Sequence, residues 1–132
     1  MPKTPEENPK NRVSRRWFMK GFGTSVAAAS LSGGLAVMAH PGLNRSDQTI
    51  PVIVDAGLDG IECFHTKHPP ATAEHYLAIA RKHNLLVTGG SDCHGLSKGK
   101  PLIGTVRLDY PHVEKLYAAK RAADEKRAAP AA

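Results

Sequence analysis

The stretch Val87-Thr88-Gly89-Gly90-Ser91-Asp92-Cys93-His94-Gly95 decides how this chain is read. Residues 85–87 form a short apolar run, the pattern of a buried strand. Two glycines then release the backbone into a loop. The loop presents a carboxylate and an imidazole two residues apart. If extended alternation persists, Asp92 and His94 project from one edge and Cys93 from the other. Carboxylate oxygen and imidazole nitrogen both ligate zinc, manganese and iron. Taken alone, Asp-x-His also reads as a turn in which Asp92 caps a helix or bonds its own backbone.

The chain on either side supplies the context. Residues 59–65 read as a strand that runs into a loop carrying His65, Lys67 and His68, closed by Pro69-Pro70. A helix is predicted from about Thr72, with Glu74 in its first turn and Tyr76, Ile79, Ala80 and His83 along one face. Asn84 ends it. Residues 85–88 are the next strand. Further upstream, residues 35–39 read as a strand that delivers His40 into a Pro41-Gly42 turn. Proline after His40 predicts an extended backbone there. Thr49 then caps a helix, Pro51 is tolerated in its first turn, and Gly57 stops it.

The predicted order is strand, helix, strand, helix, strand. Such alternation argues for parallel strands in βα units. In these folds the chemistry gathers at the carboxyl ends of the strands. His40, residues 62–68, and Asp92 with His94 all fall at such ends. One shared polar site is the expectation. Downstream comes a Gly- and Lys-rich loop over residues 96–101, then a short strand over residues 103–108. Pro111 opens a final helix through Lys120, and residues 122–132 fray into a tail. Lys98 and Lys100 either neutralise phosphate or belong to a solvated loop.

Composition narrows the function class. The 132 residues leave room for one modest domain, and the net charge is +6. The excess sits at the two ends, where a targeting segment and a solvated helix account for it. No basic patch is interleaved with aromatics, so nucleic-acid binding is not indicated. Two cysteines, Cys63 and Cys93, are too few for a disulfide framework and read as small buried thiols. All seven histidines lie at or beyond His40, a distribution that suits a metal site.

The N-terminal third is unlike domain sequence. Ser14-Arg15-Arg16-Trp17-Phe18-Met19-Lys20 is followed by an uncharged Gly-, Ala- and Ser-rich run over residues 21–39. This resembles a twin-arginine export signal, with Arg15 and Arg16 as its paired arginines. The run is too glycine-rich and weakly apolar for a stable membrane span. The resemblance implies a twin-arginine translocase as partner and a periplasmic or exported location; a cytoplasmic protein is the alternative. Val37-Met38-Ala39 suits a peptidase site and also a strand, and it cannot serve fully as both. Cleavage within residues 27–32, an uncut signal, or a fused or truncated gene would each resolve the conflict. Residues 1–32 are taken as the signal-like segment.

The ten residues from Gly33 to Gly42, the run Ala56-Gly57-Leu58-Asp59-Gly60-Ile61-Glu62, and Gly89-Gly90-Ser91-Asp92-Cys93-His94-Gly95 together resemble the C-terminal half of a PHP (polymerase and histidinol phosphatase) domain. The match spans residues 33–110, with residues 111–132 as a C-terminal helix and tail. Cys93 replaces the aromatic usual between the Asp and the His. The resemblance implies an α/β fold, part of a (β/α)7 barrel. It implies phosphoester hydrolysis with divalent manganese, zinc or iron, on a phosphorylated small molecule or a nucleotide or oligonucleotide phosphate. His40, Asp92 and His94 match metal ligands. His65 and His68 are candidates to contact phosphate in catalysis, with Lys98 as a substrate-binding cation. Glu62 reads as a strand residue. The family's opening Asp-x-His-x-His motif is absent, so a truncated, catalytically inactive remnant with weak metal binding is the alternative. A partial barrel also leaves open strand edges through which copies would associate.

Overall fold

The computed structural model describes residues 33–45 and 47–129. The signal-like segment with Arg15 and Arg16 lies outside them. Three strands form one parallel sheet in the order β1-β2-β3: β1 is Val37–Met38, β2 is Gly60–His65 and β3 is Leu86–Gly90. A short helix α1 (Pro41–Asn44), a 3-10 turn (Asp47–Thr49) and helix α2 (Ile50–Asp55) connect the first two strands. Helix α3 (Pro70–His83) connects β2 to β3, and α4 (Tyr110–Ala128) follows a long irregular segment. The strand-helix alternation expected from the sequence is present.

Local chemistry explains the boundaries. Pro51 sits in the first turn of α2, and Gly57 leaves that helix at φ +103°. Pro70 opens α3 two residues before the predicted start, because a missing N–H costs nothing there. Asn84 closes α3 in the left-handed conformation, its N–H donating to the last-turn carbonyls of Ala80 and Arg81. Basic Arg81, Lys82 and His83 fill that turn, where the helix dipole favours positive charge.

The core lies between β2 and the two connecting helices. Ile50, Ile61, Cys63, Tyr76 and Ala80 are buried together, and Ala36 packs with Leu58 beside them. Burial drives the Cys63 thiol pKa up to about 12. Gly60 lets β2 and β3 close, since a Cβ there would lie 3.0 Å from the Leu86 carbonyl oxygen. The register slips between Glu62 and Phe64, so that Glu62 pairs with Thr88 and Phe64 with Gly89. Such bulges re-aim the residues that follow them, here His65.

Three expectations change. Gly89 and Gly90 continue β3 rather than release it. A Cβ at Gly89 would stand 2.9 Å from that of Phe64, so glycine here serves strand approach. Residues 103–106 form turns and 107–108 are irregular, so no strand is present: Thr105 N–H and hydroxyl both bond the Leu102 carbonyl, and Gly104 has φ +79°. Finally, α4 continues to Ala128, eight residues beyond Lys120. Asp124 pairs with Lys120 and Arg127 one turn either side, which supports a helix where composition suggested fraying.

Candidate metal and phosphate site

The site is built from three strand ends. Beyond β1, His40 has φ 32° and ψ 56°, a left-handed backbone and not the extended one predicted from Pro41. A residue before proline avoids the right-handed helical region. The left-handed alternative costs a non-glycine residue about 1–2 kcal/mol. A bond offsets it: the His40 N–H donates to Glu62 Oε2 at 2.7 Å. Bonds to charged acceptors contribute about 1.5–3 kcal/mol. At the other end of β1 the Ala36 N–H donates to Asp59 Oδ2, also at 2.7 Å. Carboxylates just before and within β2 thus extend the hold on a strand only two residues long.

Beyond β3, Asp92 is also left-handed, at φ 52°. The other two non-glycine residues of this kind, Arg45 and Asn84, end helices. His40 is the N-cap of α1, so among the described residues Asp92 alone is a left-handed non-glycine residue that caps no helix; such strained backbone is a pattern associated with functional positions. Asp92 Oδ1 lies 3.2 Å from His94 Nε2, and Asp92 Oδ2 lies 3.9 Å from His65 Nε2. Desolvation by its neighbours pushes the exposed Asp92 carboxyl up, but the His94 charge and hydrogen bond, with His40 and His65, hold it below the usual carboxylate range. The His40 and His65 rings meet edge-on at 5.7 Å between centroids. The fold brings His40, His65, Asp92 and His94 into one neighbourhood.

Hydrogen bonding divides the histidines. His65 Nδ1 accepts the Lys67 N–H at 3.1 Å, which places the neutral ring's proton on Nε2. That Nε2 is buried and has no hydrogen-bond partner, as does His40 Nδ1. Desolvation holds the His65 pKa below the ordinary histidine value, against the pull of Glu62 and Asp92. His68 is engaged at both nitrogens. Nδ1 donates to the Cys63 carbonyl at 2.9 Å, and Nε2 accepts the Gly42 N–H at 3.3 Å. The ring also stacks on Tyr76 at 5.5 Å. His68 lines up with the site, 5.2 Å from the His65 ring, yet has no free nitrogen to offer phosphate. It braces the His40 turn at Gly42, two residues from the amide that Glu62 holds. A Cβ on Gly42 would fall 2.7 Å from His68 Nε2, so the turn admits no side chain there.

The loop after Asp92 is tied back by sulfur. Cys93 Sγ accepts N–H bonds from Gly95 at 3.4 Å and Leu102 at 3.3 Å. These amides lower the thiol pKa. Lys98, four residues beyond His94, lies beside the site with Nζ 3.4 Å from His94 Nε2. Lys98 itself stays exposed.

The donor chemistry suits a divalent cation: the orphaned buried His40 Nδ1, the Asp92 carboxylate kept ionised, and His94 beside it, while His65 Nε2 carries its proton and can only donate. Among the described residues, no group of three or more His, Cys, Asp or Glu side chains closes on a common point. Asp92 is turned onto His94 instead. Sequence reasoning placed Glu62 as a strand residue and had no signal for its backbone contact, which spans 22 positions. It also did not anticipate Asp47, which accepts bonds from the Tyr76 hydroxyl at 2.8 Å and pairs with His75 at 2.6 Å.

No protein-family model matches the chain. A phosphoribosyl 1,2-cyclic phosphate 1,2-diphosphodiesterase from Eggerthella lenta is 44% identical over 72 residues, which are 54% of this chain and 28% of that protein. A crystal structure from Bifidobacterium adolescentis, titled as that of a metal-dependent phosphoesterase, is 38% identical with a TM-score of 0.62. It covers 73% of this chain, which spans 35% of that one. The chain thus spans about a third of the length of the relatives it matches. The α/β fold with parallel strands is shared with the solved structure, as expected for part of a PHP-type barrel.

Proposed function

We propose that this chain carries part of the site of a metal-dependent phosphoesterase. The observation that carries the reading is the meeting of His40, His65, Asp92 and His94 at the carboxyl ends of three parallel strands, with two buried nitrogens lacking partners. Both relatives are named for phosphoester chemistry. His40, Asp92 and His94 would hold a divalent ion, as the sequence resemblance implied. Such an ion lowers the pKa of a bound water and polarises a phosphoryl oxygen.

The remaining roles belong to the chain's own groups. His65, with its proton on Nε2, offers a donor to an ester or phosphoryl oxygen lying beside Asp92. Lys98 adds positive charge next to His94. His68 passes from the set of phosphate contacts to that of positioning residues, because both its nitrogens are in use. The substrate class that fits is a phosphate ester of a small molecule, and the Eggerthella relative's name makes a ribosyl phosphodiester the first compound to assay. For the segment ahead of Gly33 the reading rests on sequence alone: export by the twin-arginine translocase through Arg15 and Arg16. No helix among the described residues is long and apolar enough to cross a membrane.

The test is the metal content of the purified full chain beside Asp92→Ala. Stoichiometric manganese, zinc or iron in the parent and its loss in the variant is the expected result. Equal metal in both, or none in either, would overturn the ligand assignment.

A further inference from the structure

Glu62 stands between the two turns that carry the site. Its Oε2 accepts the His40 N–H at 2.7 Å. Its Oε1 lies over Gly90, where a Cβ would come within 3.2 Å. Gly90 pairs with His65 across the sheet and precedes Asp92 by two residues. One carboxylate therefore touches the left-handed turn beyond β1 and the last residue of β3. Among the described residues no other acceptor holds that amide.

We propose that Glu62 is a positioning residue: its carboxylate fixes the left-handed His40 turn against the end of β3, and so sets where the His40 imidazole stands relative to Asp92. The lack of a side chain at Gly90 makes the slot in which the carboxylate lies. A carboxylate on a rigid central strand is suited to this, since it needs no loop to hold it in place. The proposal rests on reading His40 and Asp92 as metal-facing residues. Its geometric content, the locked His40 amide, is measurable without metal.

The experiment follows amide hydrogen exchange and manganese binding in the full chain, for the parent, Glu62→Ala, Glu62→Gln and Gly90→Ala. Glutamine retains an oxygen acceptor, so the His40 amide should stay within about threefold of the parent rate, whereas alanine should speed it about tenfold or more. Core amides of α3 should keep their rates, which separates a local release from general unfolding. Gly90→Ala, which leaves His40 and Glu62 in place, should speed the same amide by displacing the carboxylate. Manganese affinity should fall about tenfold in Glu62→Ala and be largely retained in Glu62→Gln. An unchanged His40 amide in Glu62→Ala would overturn the proposal. So would Glu62→Gln losing manganese as fully as alanine while its His40 amide stays slow, since that marks Glu62 as a direct ligand. If the parent itself binds no manganese, the phosphoesterase reading fails, and the exchange rates still decide the role of Glu62.

Discussion

At the scale of single residues, the two thiols show how environment divides identical groups. Cys63 is fully buried with its pKa pushed up to about 12, while the half-buried Cys93 is eased down by the Gly95 and Leu102 amides. Thiolate is the reactive form. Iodoacetamide at pH 8 should therefore modify Cys93 at least about a hundredfold faster than Cys63. Peptide mass spectrometry before and after denaturation reads the two sites. His68 is the second case. Its removal breaks the bonds to the Cys63 carbonyl and the Gly42 N–H and opens space beside Tyr76. His68→Ala should cost about 2–4 kcal/mol in urea unfolding. A surface histidine would cost a few tenths. The placement of His40, His65, Asp92 and His94 at the strand ends was legible in the sequence. The use of His68 was not, because its partners are fixed by tertiary approach and not by spacing.

At the scale of elements, Asp47 ties the 3-10 turn to α3 through Tyr76 and His75. Burial pushes its carboxyl up, but these two bonds and the His75 charge bring it below the ordinary value. A carboxyl lowered in the folded state stabilises it above the unfolded pKa, about 3.9, and that contribution fades as pH falls through the folded value. Urea midpoints should drop between pH 5 and 2, and Asp47→Asn should drop less steeply while being weaker at pH 7. Parallel curves for the two proteins would show that the tie contributes nothing. The same scale explains which elements could be read in advance. The first-turn prolines of α2 and α3 and the left-handed Asn84 act within a few residues, so these boundaries were legible to within two positions, although Thr49 stands at the start of α2 without a side-chain capping bond. The missing strand at residues 103–108 was not, because the Leu102 amide is taken by Cys93 nine residues earlier.

For the whole molecule, the sheet ends at β1 on one side and β3 on the other, and no further strand pairs with either among the described residues. Open strand edges invite pairing between chains. Sedimentation velocity from about 5 to 200 µM should show association rising with concentration, a monomer throughout being the contrary result. Helix α4 runs from Phe64, where His112 meets that ring, back to Gly33, whose carbonyl accepts from Arg127. It thereby joins the two ends of the described fold. The sequence by itself determined the alternation of strands and helices, the helix stops at Gly57 and Asn84, and the gathering of His40, His65, Asp92 and His94 at strand ends. Those features follow from periodicity and from local backbone preference, which act over a few residues. Only the tertiary structure decided the left-handed backbone at His40, the contact of Glu62 with both turns and the capture of both His68 nitrogens. The Glu62 and His68 bonds cross 22 and 26 residues to reach the His40 turn, and such partners exist only once the core has brought the strands together.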